Sequence, residues 1–323
     1  MQPSLKIAGL AVLLALGGAA QAQTALRFAH PVPESDLQHT LAVEFARLVE
    51  EGTDGELTVQ IFPSGQLGND QQMIDGTRSG IIDLTLVGLN NYTALVPEAG
   101  AFELPFIFPA REDAYAALDG APGEAVAEAL ASNGLHVLGY PENGYRNMTN
   151  DRGPIRVPED LAGLRMRVNN SKALNDMFAL LDANPQQLPV AELYTALETG
   201  VVDAQDHPIG IVASFRFNEV QDYLSLTQHA YAALGFTMNK ARFDSLTPEQ
   251  QQVVTEAAAA AIDMQRAMVT ESEEAMIAGL EEEGMEVNRD VNADAFQAVV
   301  QPVWDNFVAE NGDVLLKQIE AVE

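Results

Sequence analysis

From Leu26 onward, short apolar runs bounded by turn residues alternate with longer stretches in which apolar side chains recur every three or four positions, as strands and helices require. Leu26 to His30 predicts a strand that runs into Pro31 and Pro33. Ser35 then starts a helix, with Gln38 at capping-box spacing and Leu37, Leu41, Phe45, Leu48 and Val49 on one face. Leu57 to Phe62 alternates as a second strand and breaks at Pro63-Ser64-Gly65. A helix through Met73 and Ile74 stops at Gly80, and Ile81 to Val87 is apolar enough for a buried strand. Strand, helix, strand, helix, strand predicts an α/β protein with a parallel sheet covered by helices.

The pattern continues with alanine-rich helical spacing from Arg111 to Asn133 and a strand from Leu135 to Tyr140. Asn143-Gly144-Tyr145-Arg146 reads as a link rather than an element. Tyr223 to Thr227 and Leu234 to Asn239 read as strands. Thr247-Pro248-Glu249-Gln250 is a strong helix start, with a threonine cap, proline in the first turn and glutamine at the capping-box position. Nothing breaks that helix before about Glu283, so it extends roughly 50 Å, more than one lobe, and is placed to strap two lobes together. Met285 to Asn288 returns as a strand, and the acidic tail around Trp304 and Phe307 reads as helical.

One motif occurs twice. Ser79-Gly80-Ile81-Ile82-Asp83 and Thr199-Gly200-Val201-Val202-Asp203 share a helix end, a glycine, two β-branched residues and an aspartate. Each glycine is placed to adopt the left-handed conformation that closes a helix before a buried strand. Each strand then ends in polar residues, Asn90 and Asn91 in one case and Gln205 to His207 in the other. Ligands of open α/β sheets sit beyond the carboxyl ends of the strands, so the repeat predicts two similar lobes facing one cleft.

The stretch from Gly163 to Pro208 carries the candidate chemistry. In Leu164-Arg165-Met166-Arg167-Val168, alternation puts the apolar residues on one face and both arginines on the other. A guanidinium matches a carboxylate as a planar, two-pronged donor, although a solvated strand face pairing with surface acids is an equally simple fate for two arginines. Ser171 is placed to cap the following helix, a short helix, proline-marked crossover and second helix lead on to the next strand, and His207 stands where that strand stops. A lone histidine before proline is as readily structural as functional, and His30, His39, His136 and His229 are scattered singly.

Composition narrows the classes. A chain of 323 residues, 47% hydrophobic, can bury a large core and suggests two domains. Lys6, the apolar run Ile7 to Leu16 and Ala20-Gln21-Ala22 read as a secretory signal over residues 1–22, too short for a comfortable membrane span and leaving no lipid anchor. There is no cysteine, hence no disulfide framework, thiol nucleophile or cysteine-ligated metal. An exported, large-cored chain without disulfides suits a Gram-negative periplasm. A net charge of −30 makes nucleic acid and anionic membranes poor partners. No His-Glu-x-x-His, nucleophile elbow, phosphate-binding loop or dinucleotide fingerprint occurs, so no metal or cofactor is expected and an enzyme has little support.

Pro63-Ser64-Gly65-Gln66-Leu67-Gly68, Asn143-Gly144-Tyr145-Arg146, Gly163 to Val168 and Glu192 to Pro208 occur in an order that resembles the solute-binding subunits of tripartite ATP-independent periplasmic (TRAP) transporters across nearly the whole mature chain. The resemblance implies a two-lobed binding-protein architecture, an organic-acid ligand, membrane transporter subunits as partners and no catalysis. Known ligands of that family include sialic acid, C4-dicarboxylates, sugar acids, 2-oxo acids and ectoine. Lobe I is expected over 23–143 plus about 233–272, and lobe II over 144–232 plus about 273–323. Arg167 matches the family's carboxylate-gripping arginine, Arg146 a second ligand-contacting arginine of many members, and Asn91, with its neighbour Asn90, a polar contact of some. His207 departs from the family's usual asparagine, and Gly88 and Asn91 lack the charges expected of sialic-acid binders. A receptor of another transporter class and a hydrolase or lyase built on cleft carboxylates are the alternatives.

Overall fold

The computed structural model describes residues 23–322; the signal-peptide expectation over 1–22 lies outside the described residues. Twelve strands form two mixed six-stranded sheets among these residues. In the first sheet, β1 (Thr24–Ala29) lies between β2 (Leu57–Phe62) and β3 (Leu84–Gly88), both parallel to it as alternating strand and helix predict. The long β11 (Tyr231–Asn239) then runs antiparallel beside β3 and pairs on its other side with β4 (Leu135–Gly139) and β5 (Glu142–Tyr145). The second sheet is ordered β12 (Glu286–Asn288), β10 (Tyr223–Ser225), β6 (Asn147–Asn150), β9 (Ala204–His207), β7 (Arg165–Val168), β8 (Asn184–Gln187).

Several local expectations change. Asn143 to Tyr145 is no link but part of β5, because its backbone finds a ladder partner in Tyr231 to Ala233, far along the chain. The proline-marked crossover contains β8, an edge strand that tolerates Pro185 because its outer side needs no ladder hydrogen bond. The first helix, Leu37–Gly52, is capped by Asp36 rather than Ser35: the Asp36 carboxylate accepts from Gln38 N at 2.9 Å.

The repeated motif is a structural repeat. Gly80 and Gly200 take φ of 75° and 65°, the left-handed conformation that favours glycine. Asp83 then exchanges backbone and side-chain bonds with Arg27 of β1, and Asp203 does the same with Arg165 of β7. The buried strand begins only after this point, so Ile81 and Val201 are exposed rather than part of it.

Each sheet is covered on its apolar side. Leu26, Phe28, Leu41, Phe45, Leu86 and Phe236 form the heart of the first core, with Phe28 stacked on Phe236 at 5.0 Å. The helix Pro248–Glu282 carries the expected capping box, Thr247 with Gln250. Its early turns bury Val254, Ala258 and Ala261 in that core, and its late turns bury Ile277 and Leu280 with Leu193, Val212 and Phe217 in the other. Between them Gln265 bonds both backbone groups of Glu142, and Arg266 holds Asp119 and the Tyr140 carbonyl. The helix is therefore fixed on both lobes, as a strap. Besides the strap, the chain passes between the sheets at Arg146, linking β5 to β6, and between β10 and β11; the two strand crossings are tied by Arg146 N to Ala230 O at 2.8 Å.

Candidate functional site

Two cavities of about 310 Å³ flank these crossings. One, on the strap side, is lined by Asp36, Glu142 and Glu273 and, among the described residues, by no lysine or arginine. The other lies at the carboxyl ends of the strands, where ligands of open α/β sheets bind, and is lined by Arg146, Arg167, His207, Asn90 and Asn91. The structure thus brings all five sequence-predicted residues to one mouth.

Strand register explains how they meet. Arg167 on β7 pairs with Gln205 on β9, and Gln205 pairs with Thr149 on β6, so these three share a face of the sheet with His207, two residues on from Gln205. The opposite face carries Met148, Met166, Val168 and Asp206 against the core, and Arg146 turns to it. The two predicted arginines of β7 also part. Arg165, at the outer end, stays exposed and paired with Asp203, whereas Arg167, one turn of the pleat further in, is 3% exposed.

Arg167 donates from Nε and Nη2 to the Leu188 carbonyl at 3.0 and 2.6 Å, and from Nη1 to His207 Nε2 at 3.1 Å. A guanidinium has five N–H groups, so two remain, one on each terminal nitrogen, at the spacing of the two oxygens of a carboxylate. No carboxylate of a described residue lies within 4.0 Å of it. Burial lowers its pKa to about 10, with Asp206 opposing the shift and Arg146 adding to it. Arg146 is equally buried but committed: Nε meets Asp206 Oδ2 at 2.6 Å, Nη2 meets the Asp206 carbonyl at 2.6 Å and Nη1 meets Glu103 Oε1 at 3.4 Å. Burial alone would raise the Asp206 carboxyl, but Arg146 and the His229 contact at 3.3 Å outweigh it and hold it well below the usual range.

Both ring nitrogens of His207 are used, Nε2 by Arg167 and Nδ1 by Gln205 Oε1 at 2.5 Å. Asn91 accepts from Asn170 at 3.2 Å and so bridges the two sides of the mouth. The Asn90 Nδ2 is buried without a partner among the described residues. Sequence reasoning missed two further mouth residues. Gln38, in the first turn of its helix, donates to Asn143 at 3.2 Å while its Oε1 is buried and unpartnered among the described residues. Asp70 opens the helix Asp70–Ser79 and makes no side-chain hydrogen bond to another described residue; burial raises its carboxyl above the ordinary range, with Arg167 opposing. Both stand at helix starts, where a polar residue reads as a cap or as solvated surface.

A cleft between two α/β lobes, floored by a buried guanidinium and rimmed by amides, defines a small-molecule binding protein for an anion. The chain belongs to the family described as bacterial extracellular solute-binding protein, family 7, whose model matches residues 28–311, and it is a solute-binding protein of the TRAP type that its motifs indicated. It is 43% identical over 323 residues to the 2,3-diketo-L-gulonate-binding periplasmic protein YiaO of Escherichia coli K12, covering 99% of this chain and 98% of that one. Among solved structures, a TRAP periplasmic solute-binding protein from Polaromonas sp. JS666 bound to D-erythronate has a TM-score of 0.89 at 32% identity, covering 93% of this chain and 98% of its own. The sugar-acid-binding protein DctPAm of Advenella mimigardefordensis in complex with galactonate matches with the same TM-score and identity, over 93% of this chain and 99% of its own. Family members are solute-binding proteins, named as extracellular or periplasmic. Among the described residues no helix is long and apolar enough to cross a membrane, and no group of three or more histidine, aspartate or glutamate side chains is placed to hold a metal ion.

Proposed function

We propose that this chain is a periplasmic receptor that closes over a hydroxylated or oxo monocarboxylic acid, holds its carboxylate on Arg167, and passes the acid unchanged to the membrane subunits of a TRAP transporter. The observation that carries the reading is the Arg167 guanidinium: buried, free of any acidic partner among the described residues, lining the mouth, and left with one unused N–H on each terminal nitrogen. A buried cation without a counter-charge is costly, and a carboxylate supplied by the ligand removes that cost. Closure follows because contacts from both sides of the mouth form only when the ligand bridges them.

The same residues favour one charge on the ligand over two. Asp206 neutralises Arg146, with Glu103 beside the same guanidinium, and Asp70 adds a carboxylate to the rim, so a second ligand carboxylate would meet no free cation among the described residues. Hydroxyl or carbonyl groups suit what remains: the Asn90 Nδ2 donor, the Gln38 Oε1 acceptor and the Asp70 carboxylate. The sugar acids bound by the relatives have this chemistry.

A thermal-shift series with 2,3-diketo-L-gulonate, D-erythronate, galactonate and succinate tests the reading. Ligand at 100 times its Kd stabilises the folded state by about 2.7 kcal/mol, so at least one sugar acid should raise the melting temperature while succinate leaves it in place. Stabilisation by succinate alone would replace the monocarboxylate reading with a dicarboxylate one. Recovery of chemically altered acid after incubation would reinstate the enzyme alternative.

A further inference from the structure

Behind Arg167 a file of polar groups runs away from the mouth across the second sheet. Arg167 Nη1 meets His207 Nε2 at 3.1 Å, and His207 Nδ1 meets Gln205 Oε1 at 2.5 Å. Gln205 Nε2 reaches Thr149 Oγ1 at 2.8 Å, Thr149 Oγ1 reaches Gln221 Oε1 at 3.0 Å, and Gln221 Nε2 reaches the Val220 carbonyl at 2.9 Å. All four intermediate side chains are buried, so water does not compete for these bonds.

The two ends set the polarity of every link. A guanidinium only donates, so His207 Nε2 is an acceptor and carries no proton. A backbone carbonyl only accepts, so Gln221 turns its amide nitrogen to Val220 and its oxygen to Thr149. The single Thr149 hydroxyl proton therefore goes to Gln221, and its lone pair accepts from Gln205. Gln205 is left with its oxygen toward His207, which must hold its proton on Nδ1. Each link carries one proton, and an imidazolium would set an Nε2–H against an Arg167 N–H.

We infer that His207 is a positioning residue: held as the neutral Nδ1–H tautomer by Gln205, it accepts from Arg167 and aims that guanidinium at the ligand carboxylate, and it donates nothing to the ligand itself. This rests on the reading of Arg167 as the carboxylate holder. His207 thereby acts on the ligand through its neighbour rather than by direct contact.

The surroundings agree with a neutral ring. Burial, then Arg167 on β7 and Arg146 ahead of β6, push its proton affinity well below that of an ordinary histidine, with Asp206 on its own strand opposing. Phe217, 6.0 Å away, is the ring packed beside it. Asp70, which lines the mouth, and Glu103, beside Arg146, also act on Arg167. Protonation of either acid on acidification removes negative charge near an anionic ligand, so the wild-type protein should bind no more weakly as pH falls through that range.

Long-range proton–nitrogen NMR of the full mature chain, labelled in histidine, reads the tautomer without any ligand. The expected spectrum shows His207 protonated at Nδ1 and bare at Nε2 from about pH 8 to about pH 5.5, across the range where an ordinary histidine titrates. An Nε2–H tautomer or an imidazolium in that range overturns the inference. Calorimetry with 2,3-diketo-L-gulonate supplies a second readout. His207→Asn preserves an acceptor toward Arg167 and a donor toward Gln205, and should bind within about threefold of wild type, whereas His207→Leu should lose roughly tenfold or more.

Gln205→Glu places a carboxylate on Nδ1 and favours the charged ring, so its affinity should fall roughly tenfold between about pH 8 and about pH 5.5, opposite in sign to the wild-type trend. A Gln205→Glu profile that follows wild type, or wild-type affinity in His207→Leu, overturns the positioning role. If wild type binds neither this acid nor D-erythronate nor galactonate, the reading of the site as a sugar-acid receptor falls, and the tautomer spectrum alone decides the relay.

Discussion

Arg146 and Arg167 are buried to the same depth, 2% and 3% exposed, and both border the same mouth. They differ in what faces them. Arg146 sits at a chain crossing between two carboxylates, Asp206 and Glu103, and these raise its pKa against the lowering effect of burial. Arg167 has a carbonyl and a neutral imidazole, and burial prevails, lowering its pKa to about 10. A buried cation with its counter-charge built in belongs to the scaffold; one that lacks it asks for an anion from outside. Sequence motifs nominate Arg167 as the carboxylate holder and Arg146 as a second ligand contact, and their partners give the physical reason for separating the roles.

The sharpest way to break this comparison is to exchange the costs. Asp206→Ala leaves Arg146 and His229 buried without their acid, and loss of one partner from a buried pair costs about 3–5 kcal/mol of fold stability. Urea unfolding without ligand measures it, and a loss no larger than that of a surface substitution would mean Arg146 does not need its acid. Arg167→Ala should show the converse. Affinity for a bound sugar acid falls by about 2–5 kcal/mol, roughly thirtyfold to several thousandfold, while ligand-free stability changes by less than about 1 kcal/mol because an uncompensated charge has gone. Calorimetry giving less than a threefold loss would move the carboxylate elsewhere in the mouth.

Asn90 provides a gentler contrast on the other side of the cleft. Its buried Nδ2 has no partner among the described residues, so Asn90→Leu, of similar size, removes an unsatisfied donor and should leave stability equal or slightly higher. If that donor meets a ligand oxygen, affinity falls by about 1 kcal/mol or somewhat more, readable by calorimetry as a several-fold weaker Kd. Unchanged affinity would confine the site to the second lobe's side of the mouth.

Much of this architecture is legible in the chain because local signals agree with the global fold. The strap helix announces itself through Thr247, Pro248 and Gln250 and an unbroken helical run, and the glycine motifs at Gly80 and Gly200 mark two strands whose ends face one cleft. What resists reading depends on partners remote in sequence. Asn143 to Tyr145 is too polar and short to show strand alternation, and becomes a strand only beside β11. Asn184 to Gln187 has no apolar face at all, so as an edge strand it looks like a loop. Alternation puts Arg165 and Arg167 on one face but is silent on depth, which Asp203 and Leu188 decide. Gln38 and Asp70 were hidden because an unpartnered hydrogen-bonding atom is a property of surroundings, not of residue type. The opposite fates of Arg146 and Arg167 turn on Asp206 and Glu103 in the same way.

Glu103 offers the smallest and most specific test of that difference. Burial raises its carboxyl above the ordinary range despite Arg146, whereas Asp206, on the same guanidinium, is held low. The two therefore act on stability with opposite slopes. Asp206 contributes stability at neutral pH that is lost as pH falls below the ordinary carboxylate range through its depressed folded value. Glu103 takes up its proton in the folded state before the unfolded chain does, so its contribution improves as pH falls from neutral toward the unfolded value near 4.3. Glu103→Gln keeps an acceptor for Arg146 Nη1 and Asn169 Nδ2, and should change neutral-pH stability by less than about 1 kcal/mol, in the stabilising direction if at all. Measured from neutral pH down to about pH 5, the stability of wild type minus that of Glu103→Gln should rise as pH falls. A difference that falls instead would mean that Glu103 is a second firm counter-charge, like Asp206, and that Arg146 is doubly neutralised at neutral pH; a flat one would mean the folded protein leaves its titration unperturbed.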